Sequence, residues 1–136
     1  MLLGPGFMIE HPAQFTAYSA GPEDADPCFE LHPGAALDSD EMIRFRFAAG
    51  PAADIQIAGP AGAPLLEGAS PGETGSVRTW QMAYQRGGEE WVQRQYALPL
   101  SPTMAVMMSA QSPRRSWAPM EIGAELVAAT FGSLAE

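Results

Sequence analysis

The chain has 136 residues, 14 glycines, 13 prolines, a single cysteine and a formal net charge of −9. This length predicts one domain, and the apolar fraction of 46% excludes a disordered acidic tail. Residues 1–43 contain eight acidic residues and no basic one, whereas all seven arginines lie in the remainder. Because such an acidic surface repels phosphates and anionic lipids, neither nucleic acid nor a membrane is an expected partner.

The N-terminal segment MLLGPGFMIEH lacks the features of a secretory signal or a membrane span. It has no basic beginning, Pro5 interrupts it, and it is shorter than the roughly 18–20 apolar residues of a membrane span. Cys28 has no second cysteine with which to form a disulfide. We therefore expect cytoplasmic synthesis without a signal peptide, which is compatible with a later place in a released particle. Residues 1–13 are expected to form an extended N-terminal arm.

The positions of the prolines determine the predicted fold class. A proline in a helix interior costs about 3 kcal/mol. Only three proline-free windows are longer than a dozen residues, namely 34–50, 72–98 and 120–136. A helical bundle cannot be built from such windows, whereas short strands between proline and glycine turns can. The sequence therefore predicts an all-β fold, a single jelly-roll-like β-sandwich domain that spans 1–136 with about seven or eight strands.

Alternation of apolar and polar residues with a period of two marks the individual strands. It is clearest in IRFRF at 43–47, where apolar residues alternate with arginines. The predicted strands are Phe15–Ser19, Cys28–His32, Met42–Ala48, Ala53–Ala58 and Thr103–Ala110. The glycine- and proline-rich stretch 60–76 is predicted to be a loop within the domain.

Residues 120–131, in the last proline-free window, fit two kinds of element. As a strand, it alternates apolar residues such as Met120 and Ile122 with Glu121 and Gly123. As a helix, it would start near Pro119 and end at Phe131, with Gly132 as the C-terminal cap. The alternation and the glycine, which weakens a helix, favour the strand.

The stretch 77–98 contains two of the three tryptophans and two of the three tyrosines, and it reads as a hairpin. Gly87-Gly88 suits a two-residue turn, since both positions can adopt a positive φ. This turn predicts that Tyr84 lies opposite Trp91 and that Trp80 lies opposite Gln95. It also places Arg86 opposite Glu89, as a cross-strand ion pair.

The two faces of this hairpin differ in composition. One face, with Val77, Val92 and Leu98, has the character of an ordinary core. The other face combines aromatic rings with amides and a guanidinium, and its candidate ligand-binding or interface residues are Trp80, Tyr84, Trp91, Gln93, Gln95 and Arg78. Such a set is typical of a subunit interface or of packing within the domain, and it also suits a surface that stacks against sugar rings.

No catalytic arrangement is supported by the spacing of nucleophiles, bases and acids. Residues 68–72 match the letters of a G-x-S-x-G nucleophile elbow, but Pro71 cannot donate the N–H that an oxyanion hole needs. Cys28 is expected to be a small buried residue. A β-fold hydrolase with Glu89 or Glu90 as paired carboxylates is the least supported alternative. We therefore predict a protein that is not an enzyme and has no cofactor.

Metal ligation is likewise not indicated by the pattern. His11 and His32 stand alone, each beside a proline, and are expected in loops rather than in a metal site. Asp38, Asp40 and Glu41 are candidate calcium ligands, but the EF-hand pattern is missing, so a solvated acidic loop is the favoured interpretation.

These observations predict a non-catalytic structural or attachment subunit of a larger assembly, a homo-oligomer or a complex with other protein subunits. A phage-like particle component, such as a spike, fibre, decoration or tail protein, is one such assembly. A carbohydrate-binding module that uses the aromatic hairpin face is the alternative. The pair Arg114-Arg115 is a candidate contact for an acidic partner, although a solvated loop is the commoner case.

Overall fold

The structure is a computed structural model that describes residues 2–4, 7–9, 15–19, 29–33, 41–55, 66–72 and 75–133. The strands are β1 (Leu2–Gly4), β2 (Phe7–Ile9), β3 (Phe15–Ser19), β4 (Phe29–Pro33), β5 (Met42–Ala49), β6 (Leu66–Gly72), β7 (Gly75–Arg86), β8 (Glu89–Ser101), β9 (Met104–Pro113) and β10 (Gly132–Ser133). The helical elements in these ranges are α1 (Trp117–Thr130) and the 3₁₀ turns Ala52–Asp54 and Arg114–Ser116.

Most of the described strands belong to one antiparallel sheet. Its seven strands follow the order β3-β4-β5-β9-β8-β7-β6. A separate small sheet joins β1, β2 and β10, so part of the predicted N-terminal arm is paired with the end of the chain. The predicted all-β class is confirmed. A two-sheet sandwich is not, because a helix packs on the large sheet where a second large sheet was expected.

The window 120–131 is helical, and the favoured strand prediction is wrong. Helix α1 places buried residues on one side at the spacing i, i+3, i+4, i+7 and i+8, which is the period of a helix against a sheet. These residues are Met120, Gly123, Ala124, Val127 and Ala128. Ile122 lies on the opposite side and is 70% exposed. Gly123 adds no side chain to the buried face, and Pro119 lies in the first turn, where a missing N–H costs nothing.

Two further sequence predictions need correction. The stretch 60–76, predicted as a loop, contains β6, whose residues 66–72 pair with β7. A strand with a proline is tolerated here because β6 is an edge strand of the described sheet. The predicted strand Ala53–Ala58 begins instead with the 3₁₀ turn Ala52–Asp54, which Pro51 precedes, and 56–58 lie outside the described residues.

The hairpin of β7 and β8 has the predicted register. Tyr84 pairs with Trp91, Trp80 with Gln95, and Arg86 with Glu89. Gly87 and Gly88 form the turn with φ values of +59° and +79°, which residues other than glycine rarely adopt. The turn therefore fixes which residues of the two longest strands share a face.

Replacing Gly88 with valine is expected to lower the free energy of unfolding by about 1–2 kcal/mol. A Cβ at this position meets no atom within 4 Å, so the cost comes from the positive φ alone. Gly87→Asn is the matched variant and is expected to be nearly neutral, because asparagine tolerates this conformation. Urea denaturation of the three proteins measures the difference, and equal losses for both variants would contradict the explanation.

The hydrophobic core lies between α1 and one face of the large sheet. It combines buried residues of the sheet, such as Ile43, Val92 and Leu98, with the inner side of α1. Along β8 the residues of this face alternate with Gln93 and Gln95, which point to the opposite face. The main core cluster thus occupies one side of the sheet, whereas Trp80, Met82 and Trp91 are buried on the other side, next to Gln93 and Gln95.

Candidate functional site

The face of the large sheet opposite α1 contains a partly open cavity of about 700 Å³, which we call the groove. Its floor is formed by alternate residues of the two central strands, Gln93 and Gln95 of β8 and Met107, Ser109 and Gln111 of β9. Its wall on β5 is formed by Met42, Arg44 and Arg46. Asp54 and Ile55, at the 3₁₀ turn, lie at one end.

A chain of hydrogen bonds orders the amides of the floor. Gln95 Nε2 donates to Gln93 Oε1 at 2.7 Å, and Gln93 Nε2 donates to Gln111 Oε1 at 3.0 Å. The hydroxyl of Tyr84 donates to the same Gln111 oxygen at 3.4 Å. Amides that are held by their neighbours keep a fixed orientation, so a ligand meets donors and acceptors at defined places.

The strand register brings residues that are far apart in the sequence into rows across the groove. Arg44, Ser109 and Gln95 are direct neighbours on β5, β9 and β8. The next row contains Arg46 and Met107, with the small Ala97 beyond them. Each row therefore has an arginine at its β5 end. The other side chains are polar in the first row and apolar in the second.

Arg44 is held by a short chain of polar side chains at the side of the groove. Its Nε lies 3.3 Å from Glu30 Oε2, and the other Glu30 oxygen lies 2.8 Å from His32 Nε2. His32 is only 1% exposed and belongs to β4, so the predicted strand that ends at His32 is the correct interpretation of this residue and the loop interpretation is wrong. Within the sheet, His32 pairs with Thr16 of β3, and its ring lies on the same face as Glu30, two residues away on β4.

Of the predicted aromatic residues, the two tryptophans lie beside the groove but are themselves buried, whereas Tyr84 is half-buried. Trp80 is 6% exposed and Trp91 is 9% exposed. The guanidinium of Arg78 lies 4.6 Å from the Trp80 ring, and that of Arg86 lies 5.1 Å from the Trp91 ring. These rings therefore present little surface on which a sugar could stack.

Of the six predicted site residues, Gln93 and Gln95 line the groove, and Tyr84 reaches it through its bond to Gln111. The sequence interpretation missed the residues that β5 and β9 contribute, chiefly Arg44, Arg46 and Ser109. A signal for them was present. These polar residues alternate with core residues in two strands that were recognised from their period of two.

The other polar cluster of the sheet lies under α1. Arg94 Nη2 lies 2.7 Å from Glu121 Oε2, its Nη1 pairs with Glu125, and its Nε donates to Gln81 Oε1 at 2.9 Å. Tyr96 donates to Glu125 Oε1 at 3.2 Å. Both glutamates belong to α1, so the cluster attaches the helix to the sheet.

Burial, and next the negative charge of Glu125, raise the pKa of Tyr96 above its ordinary value. The folded protein therefore keeps the tyrosine proton at pH values where the unfolded chain releases it, and folding stability falls as the pH rises above about 10. Tyr96→Phe is expected to remove this part of the alkaline loss. The test is the free energy of unfolding of the wild type and of Tyr96→Phe, measured between pH 8 and 11. If the free energies of both proteins fall equally with rising pH, the prediction is wrong.

The arginine pair near the hairpin turn has partners within the chain. Arg114 Nε lies 2.5 Å from Glu90 Oε1, and Arg115 Nε lies 2.6 Å from Glu89 Oε2. All four side chains are well exposed, so these are surface ion pairs of small energy. The two glutamates considered as a catalytic pair are therefore engaged with arginines.

Several further sequence predictions concern metal ligands, a nucleophile elbow and membrane-spanning segments. Among the described residues, no group of three or more His, Cys, Asp or Glu side chains is placed to hold a metal. Of the calcium candidates, Glu41 is described, whereas Asp38 and Asp40, like Cys28 and His11, lie outside the described residues. Residues 68–72 lie within β6 and not at a strand-to-helix turn. In the described part of the chain, no helix has both the length and the apolar character needed to cross a membrane.

The chain resembles solved structures in fold. A crystal structure of a protein from Bacteroides thetaiotaomicron matches 99% of this chain with a TM-score of 0.64 and 18% identity, and the chain spans 48% of that protein. LpqN of Mycobacterium tuberculosis, which is involved in cell envelope biogenesis, matches 94% of the chain with a TM-score of 0.65 and 13% identity, over 84% of its own length. No protein-family model and no curated protein sequence matches the chain. These likenesses establish a shared fold.

Proposed function

We propose that this protein is a non-catalytic binding subunit of a larger assembly and that the groove holds a segment of a partner polypeptide. The observation that carries the proposal is the sheet face opposite α1, where ordered amides, methionines and arginines surround a partly open cavity. Methionine and arginine are enriched at protein interfaces, and methionine adapts to side chains of different shape.

The dimensions of the groove fit a short segment of a chain. A helical residue occupies about 120 Å³, calculated from a cylinder of about 10 Å diameter and 1.5 Å rise per residue. A cavity of about 700 Å³ therefore has room for roughly five or six residues of a helical segment. Gln95 and Ser109 offer hydrogen-bonding atoms to polar groups of such a segment, whereas Met42 and Met107 offer apolar contact.

Selection of random peptides displayed on phage tests this proposal. We expect the wild-type protein to enrich peptides that bind it, and we expect Ser109→Trp to abolish their binding because the indole fills the groove. Ile122→Ser, on the exposed side of α1, is the matched control and should bind them unchanged. Failure to enrich any peptide, or binding that survives Ser109→Trp in a folded protein, would refute the proposal.

A glycan is the second candidate ligand. Gln93 and Gln95, which the sequence indicated as sugar-binding residues, do line the groove, and planar amides bind sugar hydroxyls well. The burial of Trp80 and Trp91 argues for a site that relies on hydrogen bonds. A glycan array with the wild type and Gln95→Leu tests it: a signal that the variant loses supports a glycan site, and no signal rejects one.

The identity of the assembly remains a prediction. A phage-like particle is one assembly that would fit the proposal. The mass of the native particle, measured by light scattering, separates an assembly subunit from a free-standing module. A monomer at micromolar concentration would count against the homo-oligomer.

A further inference from the structure

We propose that the outward side of α1 is a contact surface on which a second copy of this chain places its own α1, with the two helices antiparallel. The helix packs on the face of the large sheet opposite the groove, so this surface is separate from the site of the proposed function. The proposal gives the predicted homo-oligomer a definite interface in the fold.

The exposed residues of α1 are all apolar, and we call them the outer stripe. They are Ala118, Pro119, Ile122 and Leu126, of which Ile122 is 70% and Leu126 37% exposed. At about 100° of rotation per residue, these positions cover a stripe about 100° wide. This is the width of the apolar stripe with which a helix of a globular protein packs on its core. Since the inner side of α1 already packs on the sheet, the outer stripe is a second packing surface.

The polar side chains of α1 are engaged within the chain. Arg94 of β8 holds both Glu121 and Glu125 at the flank of the helix. The hydroxyl of Thr130 donates to the backbone oxygen of Leu126 at 2.9 Å. A surface helix normally carries its charged residues on the side away from the core, whereas a helix that is apolar on both sides is normally covered on both. The composition of α1 therefore indicates a partner on its outward side.

The two ends of α1 indicate which partner fits. The first turn contains no acidic residue, Ser116 makes no capping hydrogen bond with its side chain, and the last turn contains no basic residue. The two arginines that precede the helix are paired with Glu90 and Glu89, so each of these pairs is close to neutral. The partial charges at the helix ends thus have no opposite side-chain charge in the adjoining turn. A second α1 that runs antiparallel brings the positive end of each helix beside the negative end of the other.

The sizes of the residues along the outer stripe also suit a two-fold axis. When the axis lies level with Ala124, Ile122 of one copy faces Leu126 of the second copy, and Pro119 faces Ala129 of the second copy. The large side chains then meet at the centre of the contact, and the small ones lie towards its ends. A surface that meets itself in this way forms a closed, isologous dimer.

Sedimentation velocity across the micromolar concentration range tests the proposal. We expect the wild type to form a dimer and Ile122→Glu to be monomeric, because the two-fold contact buries a carboxylate of each copy beside an apolar side chain. Gln85→Glu is the matched control, since it adds the same charge at an exposed position of β7 and should keep the dimer. A wild type that stays monomeric, or an Ile122→Glu protein that dimerises like the wild type, would overturn the proposal. Thermal melting of each variant verifies that it is folded.

Disulfide cross-linking tests the antiparallel arrangement. With Cys28 replaced by serine throughout, an equimolar mixture of Ile122→Cys and Leu126→Cys proteins should form a linked dimer under a mild oxidant, because a disulfide needs Cα atoms within about 7 Å. Ile122→Cys alone should link far more slowly. Equal linking of Ile122→Cys alone and of the mixture, or no linking of the mixture, would overturn this arrangement.

The outcomes are independent of the proposed function. The groove lies on the opposite face of the sheet, so Ile122→Glu should bind the peptides selected on the wild type as the wild type does. If no peptide is enriched but the wild type dimerises through the outer stripe, the proposed function fails and this proposal stands. If peptides bind the groove of a protein that stays monomeric, the reverse holds.

Discussion

Replacing Arg94 with alanine is expected to lower the free energy of unfolding by about 3 kcal/mol, the largest effect predicted for any polar residue of the chain. Its guanidinium contacts Glu121 and Glu125 of α1 and lies 5.6 Å from the ring of Trp117. Removal leaves two carboxylates without their cation under the helix. The loss lies at the lower end of the range for buried pairs, because both glutamates keep some access to water.

The measurement is urea denaturation of the wild type, Arg94→Ala and two further variants. Arg114→Ala, which removes an exposed arginine from its pair with Glu90, should cost less than about 1 kcal/mol. Arg94→Met combined with Glu121→Gln and Glu125→Gln should recover roughly half of the loss, since no charge is then left alone. Equal effects of Arg94→Ala and Arg114→Ala would show that the cluster under α1 does not secure the helix.

Replacing Trp80 with alanine is expected to lower the free energy of unfolding by about 4 kcal/mol. The side chain is 6% exposed, and its removal leaves a cavity beside the groove and uncovers the guanidinium of Arg78, which packs on the ring. Since small domains have a total stability of about 5–15 kcal/mol, a change of this size is a large part of the total. Trp80→Phe should cost less, because it fills part of the space.

Gln85→Ala is the control for Trp80→Ala, since Gln85 belongs to the same strand and is exposed. It should change the free energy of unfolding by less than about 0.5 kcal/mol. If Trp80→Ala were as harmless as this control while abolishing a response to oligosaccharides, Trp80 would serve as a sugar platform and not as a packing residue.

Local signals determined how much of the fold could be predicted. The register of β7 and β8 followed from Gly87-Gly88, because a two-residue turn allows one pairing for strands of clear alternation. The strand β5 followed from the alternation around Arg44 and Arg46 in the same way. In both cases the residues that carry the signal are close together in the sequence, so the local sequence is enough to predict the element.

The sequence predictions were wrong for elements whose structure is determined by contacts with distant parts of the chain. Helix α1 is stabilised by the sheet beneath it, so the burial of Gly123 and Ala124, and not the apolar Ile122, marks its inner side. Strand β6 forms because β7 offers it a partner, which its own residues do not reveal. The groove could not be predicted as a whole, because its rows join β5, β9 and β8, and the order of these strands does not follow the chain.

The position of β6 has a consequence for how other chains approach this protein. An edge strand with free N–H groups invites an incoming strand to extend the sheet, which leads to aggregation. Pro71 has no N–H to offer, and its place in a paired strand requires that its nitrogen face outward. This edge therefore resists extension by another strand. Among the described strands, the sheet can therefore keep its middle open to other contacts while its β6 edge discourages fibril growth.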